Sequence, residues 1–328
     1  MPVLSVENLR VGFNYAEGYG NAVDDVSFSL AANECLGIVG ESGCGKSVTA
    51  LSILRLVQEP PGKIAGGRIF FEGEDILAMD HESLRKIRGG KIAMIFQDPM
   101  TALNPVFTIG SQIAEAVAIH TNLSRAQTRE RAVEMLQKVG MPDPEQKANE
   151  YPHQLSGGMR QRAMIAMALA NGPSVLIADE PTTALDVTIQ AQILDLIEGL
   201  KAKSDMSVIL ITHDLGVVAK YAQKVAVMYA GKIVEYCSVS SIFANPMHPY
   251  TVGLMESIPA MRNIKGGGRL REIPGIVPPL YAMPAGCRFN PRCPRVMDIC
   301  KLKEPPLVTT SADHLAACHL HPEIKSAG

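Results

Sequence analysis

Eight consecutive residues near the amino end form a pattern suited to phosphate binding. Residues 40–47 fit G-x-x-x-x-G-K-S, in which glycines let successive backbone N–H groups converge on phosphate oxygens. A helix expected after the loop adds its positive end. We expect Lys46 to approach the β- and γ-phosphates and Ser47 to bind Mg²⁺. The predicted nucleotide-binding residues are Gly40, Glu41, Ser42, Gly43, Cys44, Gly45, Lys46 and Ser47.

Two carboxylates at the end of an apolar run supply the chemistry that such a loop needs. Asp179 and Glu180 directly follow residues 175–178, Val-Leu-Ile-Ala. We expect Asp179 to hold Mg²⁺ through water and Glu180 to polarise the attacking water. Paired acids at a strand end are often only solvated, but the phosphate loop in the same chain favours the catalytic interpretation.

A second glycine-containing turn enters a predicted helix at Ser156, Gly157 and Gly158. Physically it is another anion-binding helix start. One active site does not need two such loops on one chain. We therefore predict that this turn serves a different nucleotide from the one bound by residues 40–47.

The elements that position these residues follow from hydrophobic periodicity. Alternating apolar and polar residues over the first 30 positions predict an antiparallel sheet. Strands alternating with helices further on predict a mostly parallel sheet in an α/β domain. The buried strands are predicted at 92–96, 175–178 and 208–212, the helices at 46–57, 124–139 and 189–200, and a hairpin at 225–236.

Composition narrows the class of protein. The 328 residues include 31 Lys plus Arg and 33 Asp plus Glu, a net charge of −2, so a strongly basic nucleic-acid binder is not expected. No apolar run approaches the roughly 18 residues that cross a bilayer, and the start does not fit a signal peptide. We expect a cytoplasmic protein without its own membrane span.

The last part of the chain differs from the rest. After about residue 246 it contains a Gly-Gly-Gly spacer (266–268) and eight prolines between residues 274 and 306. We therefore expect an irregular tail that needs a cross-link to be stable. Cys287, Cys293, Cys300 and Cys318 are spaced C-x5-C-x6-C-x17-C, unlike common zinc or ferredoxin sites. A reducing compartment argues against disulfides. Spacing alone leaves one metal centre and unligated thiols both open.

Taken together, the motifs resemble those of ATP-binding cassette (ABC) ATPases. Residues 155–159 resemble the signature loop of that family, and Gln97 resembles its Q-loop residue. Ala184, Leu185 and Asp186 resemble the D-loop, and His213 resembles the switch histidine. The six motifs occur in the family order over residues 1 to about 240.

This resemblance implies an α/β fold of the P-loop NTPase class and ABC ATPase type. It consists of a mostly parallel core sheet, an antiparallel β subdomain and an inserted helical subdomain. The implied organisation is an ATPase domain over residues 1–245, with the helical subdomain at about 98–160. An irregular Cys-rich extension follows over residues 246–328.

The resemblance also implies residue roles. Two cassettes pair head to tail, so Ser156 and Gly158 of one subunit cap the γ-phosphate held by Lys46 of the other. Glu180 is the expected general base, and His213 contacts the γ-phosphate. Gln97 joins Asp179 and Ser47 at Mg²⁺ and links the attacking water to the membrane partner. Phe13 is the expected adenine-stacking residue, ahead of Tyr15 and Tyr19.

The tail narrows the resemblance further. His248, Pro249, Tyr250 and Thr251, and then the segment 287–294, resemble the C-terminal region of dipeptide/oligopeptide permease ATP-binding subunits. In that family the four cysteines are implicated in binding a [4Fe–4S] cluster, which we expect here as a structural staple. One alternative is a zinc site in which a nearby histidine, from among His314, His319 and His321, is a ligand. The other is that the cysteines bind no metal.

The resemblance to peptide permease subunits implies that the protein is the ATP-hydrolysing subunit of an importer for di- or oligopeptides. It would lie at the cytoplasmic face of the inner membrane. Its partners are a second cassette, which the resemblance favours as a paralogue, two transmembrane permease subunits and, indirectly, an extracytoplasmic binding protein. Glutathione or nickel is the alternative cargo. A soluble ABC ATPase acting on ribosomes or DNA is less favoured, and Glu180 argues against a non-hydrolysing regulatory cassette.

Overall fold

The computed structural model describes residues 2–183, 186–257, 273–311 and 313–321. The chain separates into two compact units. The first combines residues 1–30, 35–77 and 211–328, and the second combines 31–34 and 78–210. The predicted spacer at 266–268 and the D-loop residues Ala184 and Leu185 lie outside the described residues. The domain boundary at 245/246 stays a prediction.

The strands are named in chain order. They are β1 (Leu4–Tyr15), β2 (Gly18–Leu30), β3 (Cys35–Val39), β4 (Gly62–Phe71), β5 (Glu74–Asp75), β6 (Ile92–Ile95), β7 (Val175–Asp179), β8 (Ser207–Thr212), β9 (Lys224–Tyr229), β10 (Lys232–Ser238), β11 (Val308–Ser311) and β12 (His314–Ala316).

The helices are named in the same way. They are α1 (Lys46–Ile53), α2 (His81–Ile87), α3 (Pro99–Ala102), α4 (Ile109–His120), α5 (Arg125–Lys138), α6 (Pro144–Lys147), α7 (Gly157–Leu169), α8 (Val187–Ser204), α9 (Leu215–Tyr221), α10 (Val239–Ala244), α11 (Pro249–Glu256) and α12 (Asp298–Leu302).

The first unit contains the antiparallel sheet that the amino-terminal alternation predicts. Its order is β2-β1-β4-β5, and β1 pairs with β2 from Leu4 opposite Leu30 onward. The same unit carries the strands β11-β12-β10-β9-β3, in which β3 runs parallel to β9. The hairpin between β9 and β10 is confirmed. Ala230 and Gly231 have φ values of 47° and 86°, as a two-residue turn with positive φ requires.

The second unit is built on parallel strands. β6 pairs with β7, with Ile92 opposite Val175, and every residue of both strands is buried. Such strands are apolar throughout because both faces are covered. Helix α5 begins with a capping box between Ser124 and Gln127 and is followed by Gly140 at φ 69°, as predicted. The alternation of strands and helices confirms the α/β fold class.

Three expectations differ from the structure. Helix α1 ends at Ile53 rather than near residue 57, because Arg55 adopts a left-handed conformation at φ 51°. Helix α8 buries Ile193, Leu194 and Ile197, and it extends beyond the predicted range 189–200 at both ends. The tail is less irregular than expected, because β12 pairs with β10 and β11 pairs with β12.

One fully buried acid joins the tail to β10. Glu235 accepts hydrogen bonds from the backbone N–H groups of Met247 (2.8 Å) and His248 (2.9 Å). His314 Nε2 on β12 lies 2.7 Å from the same carboxylate. Burial would raise the pKa of Glu235, but these hydrogen bonds outweigh it and lower the pKa below its usual value. The carboxylate therefore fastens three tail residues at one point.

We predict that Glu235→Ala lowers the free energy of unfolding by about 3–5 kcal/mol, because two buried N–H groups and His314 lose their acceptor. Glu304→Ala is the control, since it removes a partly exposed partner of Lys232 and costs at most about 1 kcal/mol. Denaturant titration of both variants measures the difference. Equal losses would contradict the assigned role of Glu235.

Candidate functional site

The phosphate-loop pattern lies between β3 and α1 in the first unit, the context that the sequence predicts. Lys46 Nζ donates to the carbonyl oxygens of Gly40 (2.8 Å) and Glu41 (3.0 Å), so its ammonium bridges the start of the loop. Gly45 precedes the first residue of α1, and Ser47 is half-buried in its first turn. The backbone and one cation are thus arranged to receive an anion at a helix start.

Glycine is required at two loop positions by close backbone contacts. Gly40 has φ 157°, and a Cβ there would lie 2.2 Å from the carbonyl oxygen of Met228. Gly45 has φ 104°, and its Cβ would lie 2.3 Å from the carbonyl oxygen of Ala22. Any larger residue would displace the loop backbone. Both fixed glycines of the phosphate-loop pattern are therefore required by the backbone packing.

The catalytic carboxylate candidate lies in the second unit beside two hydrogen-bond donors. Gln97 Nε2 donates to Glu180 Oε2 at 3.3 Å, and Thr183 Oγ1 donates to the same oxygen at 2.9 Å. Glu180 has φ 44°, a left-handed conformation that is strained for this residue type. Gln97 and Glu180 were both expected from sequence. Thr183 was missed, although a hydroxyl three residues after the acid is a local signal.

The other predicted residues lie at these places. Asp179 is the buried last residue of β7. Ser156 is the exposed N-cap of α7, its hydroxyl accepts from the Met159 N–H at 3.3 Å, and Gly157 and Gly158 open the helix. His213 is exposed after β8. Phe13 is half-buried on β1 with its ring 6.3 Å from that of Tyr15, and its adenine contact stays a prediction.

All four tail cysteines line one small cavity in the first unit, together with His248 and Phe289. Burial, together with the neighbouring thiols, raises the pKa of Cys287 to about 11. Burial likewise raises the pKa of Cys293 and of Cys318. Four cysteines that are separated in the sequence therefore line one cavity.

A second group of potential ligands has a different explanation. Glu235, Cys237 and His314 bring their donor atoms within 4.8 Å of one another. Hydrogen bonds already engage both Glu235 oxygens. Burial raises the pKa of Cys237 to about 12, so its thiol stays protonated at neutral pH. We interpret this group as a set of hydrogen bonds that attaches the tail to β10, rather than as a metal site.

Comparisons with known proteins agree with this geometry. Residues 23–183 match the family described as ABC transporter, and residues 234–300 match that described as oligopeptide/dipeptide transporter, C-terminal region. A probable peptide ABC transporter ATP-binding protein of Sinorhizobium fredii is 55% identical, over 96% of this chain and 94% of the relative. The dipeptide transport ATP-binding protein DppD of Bacillus subtilis is 51% identical, over 97% and 94% respectively.

Solved structures show the same fold. The ATP-binding cassette MJ0796, in a dimeric post-hydrolysis state bound to ADP and Pi, is 28% identical with a TM-score of 0.65. The match covers 72% of this chain and 98% of that cassette.

Fold and site together define an ATP-binding cassette of the P-loop NTPase class, and the protein is an ATPase. More specifically, the chain belongs to the family of ABC transporter ATP-binding proteins that carry the oligopeptide/dipeptide transporter C-terminal region. Across the part of the chain that the structure describes, no helix has the length and apolar character needed to span a membrane.

We predict that Gly45→Ala abolishes measurable MgATP binding by the purified chain, because its Cβ meets a backbone carbonyl that cannot move away. Gly43→Ala is the matched control. Gly43 also has a positive φ, 78°, but its Cβ would meet nothing within 4 Å. The strain there is only about 1–2 kcal/mol, so binding weakens by at most about tenfold. Calorimetric titration with MgATP compares the two variants, and comparable affinities would contradict the prediction.

Proposed function

We propose that the chain is the ATP-hydrolysing subunit of an importer for dipeptides or oligopeptides. The observation that carries this proposal is the similarity to peptide transport ATP-binding proteins over nearly the whole chain, including the tail. The tail match matters most for the cargo, because a nucleotide-binding cassette alone does not indicate what is transported.

The geometry supports a division of chemical roles. Glu180 acts as the general base, and the donors Gln97 and Thr183 orient its carboxylate towards the attacking water. By resemblance to the family, Ser47, Gln97 and Asp179 would hold Mg²⁺, and Lys46 would neutralise charge on the β- and γ-phosphates. His213 adds a contact to the γ-phosphate. Each role uses a side chain that suits developing negative charge or proton removal.

The exposed start of α7 supports a head-to-tail cassette dimer. Ser156 and the N–H groups of Gly157 and Gly158 offer an anion site at the end of a 13-residue helix. In the dimer this site closes over the ATP bound by Lys46 of the other subunit. Closure with ATP and reopening after hydrolysis form a two-state cycle whose balance depends on contacts to the γ-phosphate.

Exposed apolar side chains on both sides of the Q-loop residue Gln97 support docking to a permease. Between β6 and α4, Phe96, Met100, Val106 and Phe107 are exposed, Met100 by 54% and Val106 by 69%. Large apolar side chains gathered in one exposed segment favour a protein partner. We propose that this segment of each cassette binds one of two transmembrane subunits, which hold the cassette pair at the cytoplasmic face of the membrane. We further propose that the second cassette is a paralogue of this chain.

We predict that Glu180→Gln, in the transporter reconstituted with its permease, lowers ATP turnover at least about 100-fold while MgATP affinity stays within about twofold. Peptide uptake stops with it. Glu198→Gln is the control, because that acid is partly exposed on α8 beside Lys201. Radiolabelled peptide uptake and phosphate release are measured together. Unchanged turnover would refute the base assignment, and uptake of only glutathione or nickel would refute the peptide cargo.

We further propose that Cys287, Cys293, Cys300 and Cys318 ligate a [4Fe–4S] cluster. Their position around one shared cavity supports a common set of ligands. Such a group, when bound, supplies a structural cross-link among segments that have few core residues of their own. The four cysteines would hold it, and Phe289 and His248 line the same cavity.

We predict that the chain purified without oxygen contains about four irons and four sulfides, with broad absorption near about 400 nm. Cys293→Ser loses them, whereas Cys35→Ser, a buried cysteine on β3, keeps them. Metal and acid-labile sulfide analysis provides the test. Zinc or no metal in the anaerobic protein would refute the cluster and leave the ATPase assignment intact.

A further inference from the structure

Two residues of the tail contact the phosphate loop at one position, Glu41. The hydroxyl of Tyr250 on α11 accepts a hydrogen bond from the Glu41 backbone N–H at 2.8 Å. The guanidinium of Arg292 pairs with the Glu41 carboxylate through two parallel bonds of 2.6 and 2.9 Å. Two-bond pairing of this kind fixes orientation as well as distance.

Arg292 is held rigidly. It is 7% exposed, and each of its nitrogens donates to an acceptor. Besides Glu41, these acceptors are the carbonyl oxygens of Pro274 (2.9 Å) and Ile273 (3.2 Å) and the Tyr229 hydroxyl (3.4 Å). A guanidinium with all its donors engaged cannot follow a moving loop. Glu41 therefore has a fixed partner.

Tyr250 is also fixed. It is fully buried, and its ring packs against Tyr229 (centroids 4.7 Å apart) and Phe289 (5.5 Å). Phe289 lies three residues before Arg292 in the chain. One aromatic cluster thus supports both contacts to the loop.

Glu41 in turn sets the geometry of the loop. Its carbonyl oxygen accepts from Lys46 Nζ at 3.0 Å and from the Cys44 N–H at 3.3 Å. The N–H, carbonyl and carboxylate of Glu41 therefore all form hydrogen bonds. The tail supplies the partners of the N–H and of the carboxylate. A shift at Glu41 would move both Lys46 and the N–H groups that face phosphate.

We propose that Arg292 and Tyr250 are positioning residues that fix Glu41, and through it Lys46, in the geometry that binds the nucleotide triphosphate. ATP affinity is then a property of the cassette and the tail together. The proposal concerns nucleotide binding by this chain and does not depend on the cargo or on the cysteine-bound group.

The first experiment measures MgATP affinity of the purified full-length chain by calorimetry. We expect Arg292→Ala and Glu41→Gln each to weaken binding about tenfold, and the double variant to be no weaker than either single variant. Arg292→Lys keeps the positive charge but forms only one bond to the Glu41 carboxylate. We therefore expect its MgATP affinity to lie between those of the parent and of Arg292→Ala. Lys301→Ala is the charge-matched control. It removes a tail cation that is 60% exposed and contacts Asp298, and it binds within about twofold of the parent.

The double variant separates positioning from simple charge neutralisation. If Arg292 only cancels the negative charge of Glu41 near phosphate, Glu41→Gln binds normally and restores the Arg292→Ala variant. That result would overturn the proposal, as would normal affinity in Arg292→Ala. Independent, additive losses would also contradict it, because they would show that Arg292 does not act through Glu41.

A second variant keeps the proposal testable should Arg292→Ala fail to fold. Tyr250→Phe keeps the packed ring and removes only the acceptor of the Glu41 N–H, so we expect about threefold weaker MgATP binding. In the reconstituted transporter the KM for ATP rises by a similar factor, while kcat at saturating ATP is unchanged. Unaltered affinity, or a fall in kcat alone, would overturn the proposal.

Discussion

The buried carboxylate of Glu235 is the constraint on which the first unit depends. It stands in the middle of β10, where its neighbours Ile233 and Val234 are buried and apolar. A lone charge there would be strongly unfavourable, so the fold must bring donors to it. The donors come from the start of α11 and from β12, which are far apart in the chain. Satisfying one acid thus positions both the start of α11 and the strand β12.

From that point the tail reaches the nucleotide-binding loop. Helix α11 starts at the residue after His248, whose ring caps it by accepting from the Tyr250 N–H at 3.1 Å. Tyr250 then lies at the loop, and Phe289 packs between it and the cysteine-lined cavity. The cassette and the tail are therefore continuous through hydrogen bonds and ring contacts. The tail is a part of the nucleotide-binding unit rather than an appendage.

Local signals predicted much of this fold. The phosphate loop, the apolar strands, the capping box at Ser124 and the Ala-Gly hairpin are each encoded within a few residues, so sequence alone located them. The pairing of β12 with β10 was missed because strands of three or four residues show no clear period. Thr183 was missed because its value depends on where the Glu180 carboxylate points.

Contacts between distant residues account for the rest. Glu41 occupies one of the unrestricted positions of the loop pattern, and Arg292 lies 251 residues away. No periodicity or spacing rule predicts a contact between two such distant positions. An acid within the apolar β10 run was the accessible clue for Glu235, since a buried charge requires partners. The clustering of the four cysteines was predicted from resemblance, whereas their spacing alone left it open.

The pairing of Glu41 with Arg292 has an evolutionary consequence. Replacing either residue alone leaves a buried or half-buried charge without its partner, so a change at one position is expected to favour a change at the other. A chimera that joins the cassette of one relative to the tail of another is therefore expected to keep its full ATP affinity only when it contains both the acid and the arginine.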